Sequence, residues 1–377
     1  MKSKLFRITS LFIGILLIAG LFFGAMTSKV VAGTPLQSDG DGNVSTLQAP
    51  GWTAATRVWT KEEMLAAEPY PLPFPAGQRV VGIAPEGPTG EPGFMPSSLP
   101  MDASPMTDVD ADLGVFSSPS PLGYSYPAPF TRYNNFASYT SFPYVTIGKL
   151  FFTQYGVNYV CSASSIGNYA IWTAGHCVHY GNNDPAGWSY NVVFVPAYQN
   201  GTAPLGQWSA FKLWTNTGWF TSGDFRYDIG GAVLYPNASG YKISQVVGNL
   251  GFAWDQSVNL HWFQIGYPQA APFDGQLMYI NTSSFAYNDT SMGSPYPIGV
   301  GNDLTGGSSG GPWIYKFSGA AGSTNYLNGH NDYRYTTPSH PLEMFSPYFE
   351  SAAHNLWSTL IAENPPAKLF SPMIRKR

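Results

Sequence analysis

The sequence predicts an all-β fold, a sandwich or barrel of short strands followed by one helix near the end of the chain. Runs rich in β-branched and aromatic residues recur from residue 144 onward, and clusters of Gly, Asn, Pro and Asp separate them. Several short strands at such intervals are typical of a sandwich or barrel. With 16% aromatic and only 11% charged residues, the 377-residue chain can bury a sizeable core.

The strand candidates are short apolar runs, and a helical pattern follows the last of them. The strands are predicted at 144–152, 169–174, 191–197, 230–235 and 241–248. The helix is predicted at about 346–362, where Ser346 can cap the first turn and Pro347 fits it. The side chains that would share its apolar face are Phe349, Ala353, Leu356, Trp357, Leu360 and Ile361.

Residues 1–32 have the pattern of a secretory signal peptide. Lys2, Lys4 and Arg7 precede an apolar run at 11–26, and small residues before Gly33 suit a cleavage site. An uncleaved membrane anchor is the alternative, and we favour cleavage because about 20 apolar residues are needed to span a bilayer. The sequence therefore predicts a secreted, extracellular protein without stable membrane association after cleavage.

Residues 33–130 differ in composition from the rest and are predicted to be a pro-region. They hold half of the 32 prolines, no cysteine, no histidine and an excess of acidic residues. Stretches such as "EPYPLPFPAG" and "SSPSPLGYSYPAPF" indicate extended, polyproline-like chain rather than core elements. A segment of this kind folds or wraps only against a partner, and we expect that partner to be the domain beside it. A simple spacer is the alternative.

Export makes the only two cysteines interpretable. In an oxidising compartment Cys161 and Cys177 are predicted to form one disulfide. Closing a loop of this size is worth roughly 3 kcal/mol in the chain-entropy model. A free reactive thiol is the alternative.

Three separate motifs supply the parts of a nucleophilic serine site. A serine hydroxyl needs a base within hydrogen-bond reach, a group that orients this base, and donors for the developing oxyanion. "WTAGHC" places His176 at the end of an apolar run, and "YDIGGAVL" places Asp228 at the start of another. "GGSSGGPW" (306–313) presents a serine in a loop whose glycines let backbone N–H groups converge on one point.

These motifs resemble those of the chymotrypsin-like serine proteases, and their order His, Asp, Ser is that family's order. The stretch "YVCSASSIGNYAIWTAGHCV" and the sparse cysteines look closest to the secreted glutamyl endopeptidases. The resemblance covers roughly 140–362. It implies a double β-barrel in a protease domain at 131–377, with barrels at about 140–238 and 240–345 and the helix at about 346–362. It also implies a polypeptide substrate and no cofactor.

The family pattern G-x-S-G-G-P decides between the two adjacent serines. It places the nucleophile at Ser309 and the oxyanion hole at the N–H groups of Gly307 and Ser309. His176 would then be the base and Asp228 its orienting group. Many trypsin relatives carry an aspartate where this chain has Ser308, and that aspartate pairs with the new N-terminal amine on activation. We therefore expect activation to proceed differently here.

Two residues bear on substrate specificity and point in different directions. Asp303 lies where trypsin-like enzymes hold the carboxylate that selects Arg or Lys, but the chain lacks the cysteine that braces that loop in trypsins. His330 is the candidate for the histidine with which glutamyl endopeptidases meet an acidic side chain, although a plain alignment puts Asn331 there. The alternative for Asp303 is a solvated loop residue, and the alternative for His330 is a residue at a strand edge.

Each motif residue also has a structural interpretation. "HCVH" at 176–179 could suggest zinc, but no second cluster completes a four-ligand set, and we predict no metal. Asp224 competes with Asp228, which directly precedes the apolar "IGGAVL". The glycine-rich loop could be a tight turn or could cradle a phosphate, but it lacks the lysine of a P-loop.

Other protein classes remain possible on the sequence. A non-catalytic binding protein of the same fold and an esterase that uses the same triad are the alternatives to an endopeptidase. The net charge of −4 gives no indication of a nucleic-acid surface.

Overall fold

The computed structural model describes residues 36–48, 58–84, 87–88, 90–102, 124–134, 138–336 and 339–366. The predicted signal peptide at 1–32 lies outside this part of the chain, as does about half of "SSPSPLGYSYPAPF". Within the part described, no helix combines the length and the apolarity needed to cross a bilayer.

The N-terminal part of the chain contributes short strands and one short helix. The helix α1, Lys61–Ala66, begins with a capping box between Thr60 and Glu63. The strands are β1 Gln37–Ser38, β2 Asn43–Leu47, β3 Glu68–Pro69, β4 Val81–Gly82, β5 Gly93–Met95 and β6 Thr131–Tyr133. Apart from β1, which pairs with β2, each of these strands pairs with a strand that comes later in the chain.

The next six strands form a closed barrel. They are β7 Ile147–Gln154, β8 Val157–Gly167, β9 Ala170–Ala174, β10 Tyr190–Pro196, β11 Trp208–Asn216 and β12 Ile229–Leu234. Their order is β11-β10-β7-β8-β9-β12, and the pairing of β11 with β12 closes the ring. Strand β2 adds to β11 antiparallel, and β3 runs parallel to β8. The alternating apolar residues of these strands fill the interior.

The remaining strands form a second sheet. They are β13 Gly251–Trp254, β14 His261–Gly266, β15 Tyr279–Asp289, β16 Ile298–Gly301, β17 Pro312–Tyr315, β18 Tyr326–His330 and β19 Glu343–Ser346. Their order is β19-β16-β15-β14-β17-β18-β13, and β5, β4 and β6 add to its strands. Among the described strands these pairings form an open path, with no pairing that closes it. Two closed barrels are predicted from the sequence, and the strand pairings close only the first.

The helices that follow α1 are short except for the last. They are α2 Gly175–Val178, α3 Thr217–Ser222, α4 Ile243–Val247 and α5 Ser351–Ala362, with single 3-10 turns at Tyr144–Thr146, Pro185–Gly187 and Phe225–Tyr227. Helix α5 packs on the first barrel through Ala353, Leu356, Trp357 and Leu360.

The predicted start of the last helix at Ser346 is wrong by five residues. Ser346 ends β19, where its backbone pairs with Ile298 and its hydroxyl accepts a hydrogen bond from the His330 N–H at 2.9 Å. The helix begins at Ser351, with Glu350 at the capping position. A sheet partner therefore takes the hydroxyl that was expected to cap the helix.

The prediction that "EPYPLPFPAG" (68–77) supplies no core element is wrong at Tyr70, and residues outside this stretch are buried as well. Trp59, Met64 and Tyr70 are buried in the clusters that fill the first barrel and its surroundings. The side chain of Arg79 forms an ion pair with the buried Glu343 at 2.8 Å. In "EPYPLPFPAG" only Glu68–Pro69 belongs to a regular element.

Candidate active site

His176 lies in the short turn α2, directly after the end of β9. Its backbone N–H donates to Oδ1 of Asp228 at 2.7 Å, and its ring Nδ1–H donates to Oδ2 of the same carboxylate at 2.8 Å. Both side chains are almost fully buried. The carboxylate therefore fixes both the backbone and the ring of His176, and leaves Nε2 as the nitrogen that can accept a proton.

Asp228 immediately precedes β12, which pairs with β9, so the two strands bring it beside His176. The rival Asp224 lies elsewhere. Its carboxylate caps the turn that follows and pairs with Arg226 at 2.6 Å. The structure thus places Asp228, and not Asp224, on the imidazole.

The loop 306–311 holds Ser309 against β8 and the end of β9. The Ser309 carbonyl accepts the N–H of Ser162 at 2.7 Å, and Ser162 follows the disulfide-bonded Cys161. Gly310 adopts φ +76°, and a Cβ there would lie 2.6 Å from the Ala174 nitrogen, so the loop needs glycine at this close approach. Ser309 Oγ and His176 Nε2 are both buried and without a hydrogen-bond partner among the described residues.

The predicted disulfide between Cys161 and Cys177 is confirmed. It joins β8 to α2, and so links the strand that holds the Ser309 carbonyl to the turn that carries His176. The cysteines are therefore not available as zinc ligands. The free-thiol alternative is also wrong.

An N-terminal segment, residues 67–73, lies across these residues and is called here the cleft segment. The Tyr70 N–H donates to the Val160 carbonyl at 3.0 Å, and the Tyr70 carbonyl accepts the N–H of Gly307 at 3.1 Å. One of the two predicted oxyanion donors is thus already occupied. The Tyr70 ring lies over the ring of His176, with centroids 5.3 Å apart.

Further hydrogen bonds hold the cleft segment at both ends and in the middle. Gln269 Nε2 donates to the Ala67 carbonyl at 2.6 Å, and the Arg334 N–H donates to the Pro73 carbonyl at 3.4 Å. The Tyr70 hydroxyl donates to Gln154 Oε1 at 2.8 Å, and burial raises the pKa of this phenol far above its ordinary value. The segment is therefore held at several points while it contacts the ring of His176 and the N–H of Gly307.

The two specificity candidates lie in different surroundings. The Asp303 carboxylate pairs with Arg132 at 2.6 Å and accepts a hydrogen bond from Asn281 at 3.1 Å. His330 is fully buried behind the site, where its Nε2–H donates to the Asp228 carbonyl at 3.0 Å and its Nδ1 accepts the indole N–H of Trp172 at 3.2 Å.

Burial lowers the pKa of His330 to about 3, which keeps its ring neutral. With both nitrogens bonded inside the protein, His330 supports Asp228. This position differs from the predicted contact with a substrate carboxylate.

Sequence reasoning missed Asp332, which lies two residues after His330. Its carboxylate is fully buried, and Oδ1 lies 3.4 Å from Nδ1 of His176. His176 thus has two carboxylates beside one ring nitrogen. The only sequence signal is the single acidic residue of "GHND" (329–332), a stretch in which His330 is the predicted site residue.

Comparisons with solved structures find proteases that are similar to this chain. The chain is similar to a protease from Arthrobacter nicotinovorans, with 33% identity and a TM-score of 0.55, over 62% of this chain and all of that one. It is also similar to a thermostable serine protease from an extremophilic microorganism, with 35% identity and a TM-score of 0.52, over 58% and 98% of the two chains. No family model and no curated protein matches the chain.

Proposed function

Because the chain belongs to the chymotrypsin-like serine proteases and is a peptide hydrolase, we propose that it is a secreted serine endopeptidase with the triad Ser309, His176 and Asp228. The observation that carries the proposal is the double hydrogen bond from His176 to Asp228, which leaves Nε2 without a hydrogen-bond partner among the described residues. The assignment rests on this geometry and on the order of the three motifs.

The reaction follows from the atoms available. Ser309 Oγ forms a bond to the carbonyl carbon of the scissile peptide while its proton passes to His176 Nε2. The carbon–nitrogen bond then breaks, and Nε2 returns the proton to the leaving amine, which leaves an acyl-enzyme. In the second half a water molecule gives a proton to Nε2 and bonds to the acyl carbon. The bond from this carbon to Ser309 Oγ then breaks, Oγ takes the proton back, and the carboxylic acid is released. Asp228 stabilises the imidazolium that forms twice in this cycle.

The N–H groups of Gly307 and Ser309 are proposed as the donors for the oxyanion. Gly307 adopts φ +94°, a conformation that disfavours any side chain there. Its N–H already donates to a carbonyl oxygen, that of Tyr70. A backbone carbonyl is the group that this donor would bind in a substrate, and its negative charge in the transition state strengthens the bond.

We also propose that residues 33–130 form a pro-region that keeps the enzyme latent by steric block. The cleft segment covers His176 and uses the Gly307 donor, so a polypeptide cannot occupy the same space. Pro69 and Pro71 flank Tyr70 and fix their own φ angles, which lowers the entropy lost when the segment is ordered. Ser308 lacks the carboxylate needed for an ion pair with a new N-terminus, which favours removal of the block as the activation step.

On specificity, we propose that Asp303 does not select basic side chains. Its carboxylate is already paired with Arg132 and hydrogen-bonded to Asn281, so a substrate cation would have to displace both. Cleavage of a mixed peptide library by the secreted enzyme, with sequencing of the products, would establish the residue before the cut.

The proposed endopeptidase is tested by labelling the secreted, processed protein with a fluorophosphonate and mapping the adduct. We expect one adduct, on Ser309, and loss of peptide cleavage in proportion to labelling. Absence of an adduct would favour a non-catalytic binding protein of this fold. Hydrolysis of simple esters with no peptide product from the library would favour the esterase.

A further inference from the structure

The carboxyl group of Asp332 has no donor to satisfy it. Its side chain is 0% exposed, and neither oxygen has a hydrogen-bond partner among the described residues. One ligand-type atom each of Asp332, Asp228 and His176 lie within 4.8 Å of one another. A buried ionised carboxylate is normally paired with a cation or accepts several N–H bonds, and Asp332 has neither in the structure.

Asp228 differs from Asp332 although both contact the same imidazole. Its two oxygens accept the backbone N–H and the ring N–H of His176 at 2.7 and 2.8 Å, so its negative charge is compensated. The single proton of Nδ1 is therefore already used. At 3.4 Å, Asp332 Oδ1 is close to Nδ1 but receives no proton from it.

Because no donor reaches Asp332, the hydrogen bond still open to its carboxyl group is one in which Asp332 itself is the donor. Two ionised carboxylates side by side in a dry site repel each other, and one of them becomes neutral. Burial, together with the neighbouring charge of Asp228, raises the pKa of Asp332 well above its ordinary value. A neutral carboxylic acid has an O–H to donate, and the Asp228 carboxylate is the acceptor beside it.

We propose that Asp332 is a positioning residue of the triad, held as the neutral acid, and that its O–H donates to Asp228 and fixes this carboxylate against His176. The inference rests on the proposed triad. Asp332 touches neither the substrate nor Ser309 and acts through Asp228. Its backbone is itself fixed, because its N–H donates to the Phe345 carbonyl of β19 at 3.1 Å.

The test compares Asp332→Asn with Asp332→Leu in the full chain, expressed and exported with its own N-terminal region. Asparagine has nearly the same shape and offers an N–H donor to Asp228, whereas leucine has similar volume and no donor. We expect kcat for peptide cleavage to fall about 10- to 100-fold in the leucine variant, with KM changed less than about threefold. The asparagine variant should recover at least tenfold over leucine.

A spectroscopic readout makes the test independent of turnover. The proton between His176 Nδ1 and Asp228 should give a far-downfield proton NMR signal in the wild type and in Asp332→Asn. In Asp332→Leu this signal should shift upfield or be lost to exchange. If leucine keeps both the kcat and the signal, or if asparagine loses the signal as leucine does, Asp332 has no positioning role.

Failure of the proposed function gives a different result. A wild-type enzyme that takes no fluorophosphonate on Ser309 contradicts the triad itself, whatever Asp332 does. A labelled and active wild type, with no difference between the asparagine and leucine variants, contradicts only the role of Asp332. If the leucine protein does not fold, a full loss of the downfield signal in Asp332→Asn still overturns the proposal.

Discussion

The turn that carries His176 and the cleft segment that covers it meet at one imidazole ring, yet different contacts hold them. The turn is fixed by a disulfide, by two hydrogen bonds to Asp228 and by full burial. The cleft segment is held by the pairing of β3 with β8, by further hydrogen bonds, and by contacts of the Tyr70 ring with the rings of Phe152, Tyr159 and His176. The first arrangement lies in the part of the chain predicted to be the protease domain and the second in the predicted pro-region. We therefore expect a permanent site whose covering segment can be removed.

The change with the largest expected effect removes the proposed nucleophile and leaves the cleft segment unchanged. Ser309→Ala should lower peptide cleavage by several orders of magnitude, since a triad without its nucleophile retains only the catalysis of binding and the oxyanion hole. Ser308→Ala is the matched control, because that hydroxyl also lacks a partner among the described residues and has no role in the proposed reaction. An inactive Ser308→Ala with an active Ser309→Ala would show that the motif register is wrong.

The next change weakens the contacts of the cleft segment and leaves the catalytic residues intact. Tyr70→Ala should speed fluorophosphonate labelling of Ser309 in the unprocessed chain by about tenfold or more, since a hydrogen bond and an aromatic contact are each worth about 1 kcal/mol. The labelled band is measured on a gel at early times, before processing.

The control for this change is Phe74→Ala, in a ring that is 60% exposed on the same stretch of chain. It should label at the wild-type rate. Equal labelling of the Tyr70→Ala and wild-type chains would mean that the cleft segment does not block the site.

The third change tests how much the disulfide contributes to the stability of the turn that carries His176. Replacing both Cys161 and Cys177 by alanine should lower the free energy of unfolding by about 2–4 kcal/mol, measured by denaturant titration of the exported Ser309→Ala chain to avoid self-cleavage. A double variant that unfolds at the wild-type denaturant concentration would show that buried contacts alone fix the turn.

The smallest effect concerns Asp332 and the pH dependence of stability. Because its pKa is raised, the folded state holds a proton that the unfolded chain releases above pH of about 4, so this residue lowers stability as pH rises. The titratable groups around it are His176, Asp228, His330 and Tyr333. Asp332→Asn, placed in the Ser309→Ala chain, should raise Tm at pH 7 by about 2 °C or more, with the difference vanishing toward pH 3. A constant difference across this range would contradict a neutral Asp332.

The sequence allowed much of the site to be predicted, because each motif ends or begins a strand that local composition already marks. His176 follows β9 and Asp228 precedes β12, and the pairing of these strands brings the two side chains together. The disulfide followed from cysteine count and predicted export. The triad assignment of Ser309 stays a prediction for the labelling experiment.

The features that could not be predicted from the sequence depend on contacts between residues that are far apart in the chain. Ser346 lies before a proline and a helical pattern, but its hydroxyl bonds β18 instead of capping a helix. Tyr70 sits in a proline-rich stretch without local periodicity, and only the parallel pairing of β3 with β8 places it over His176. Asp332 has no motif or spacing that marks it in the sequence, because burial is what makes its carboxyl group unusual.

The covalent continuity of the cleft segment with the domain has a kinetic consequence. A tethered blocker faces the cleft at an effective concentration that can reach millimolar, so even weak contacts keep it in place. One cut between the segment and the domain removes the tether but not the contacts, among them β2 on β11 and the pair of Arg79 with Glu343. We therefore expect the severed fragment to remain bound as an inhibitor, and activity to appear only on dilution or when the fragment itself is degraded.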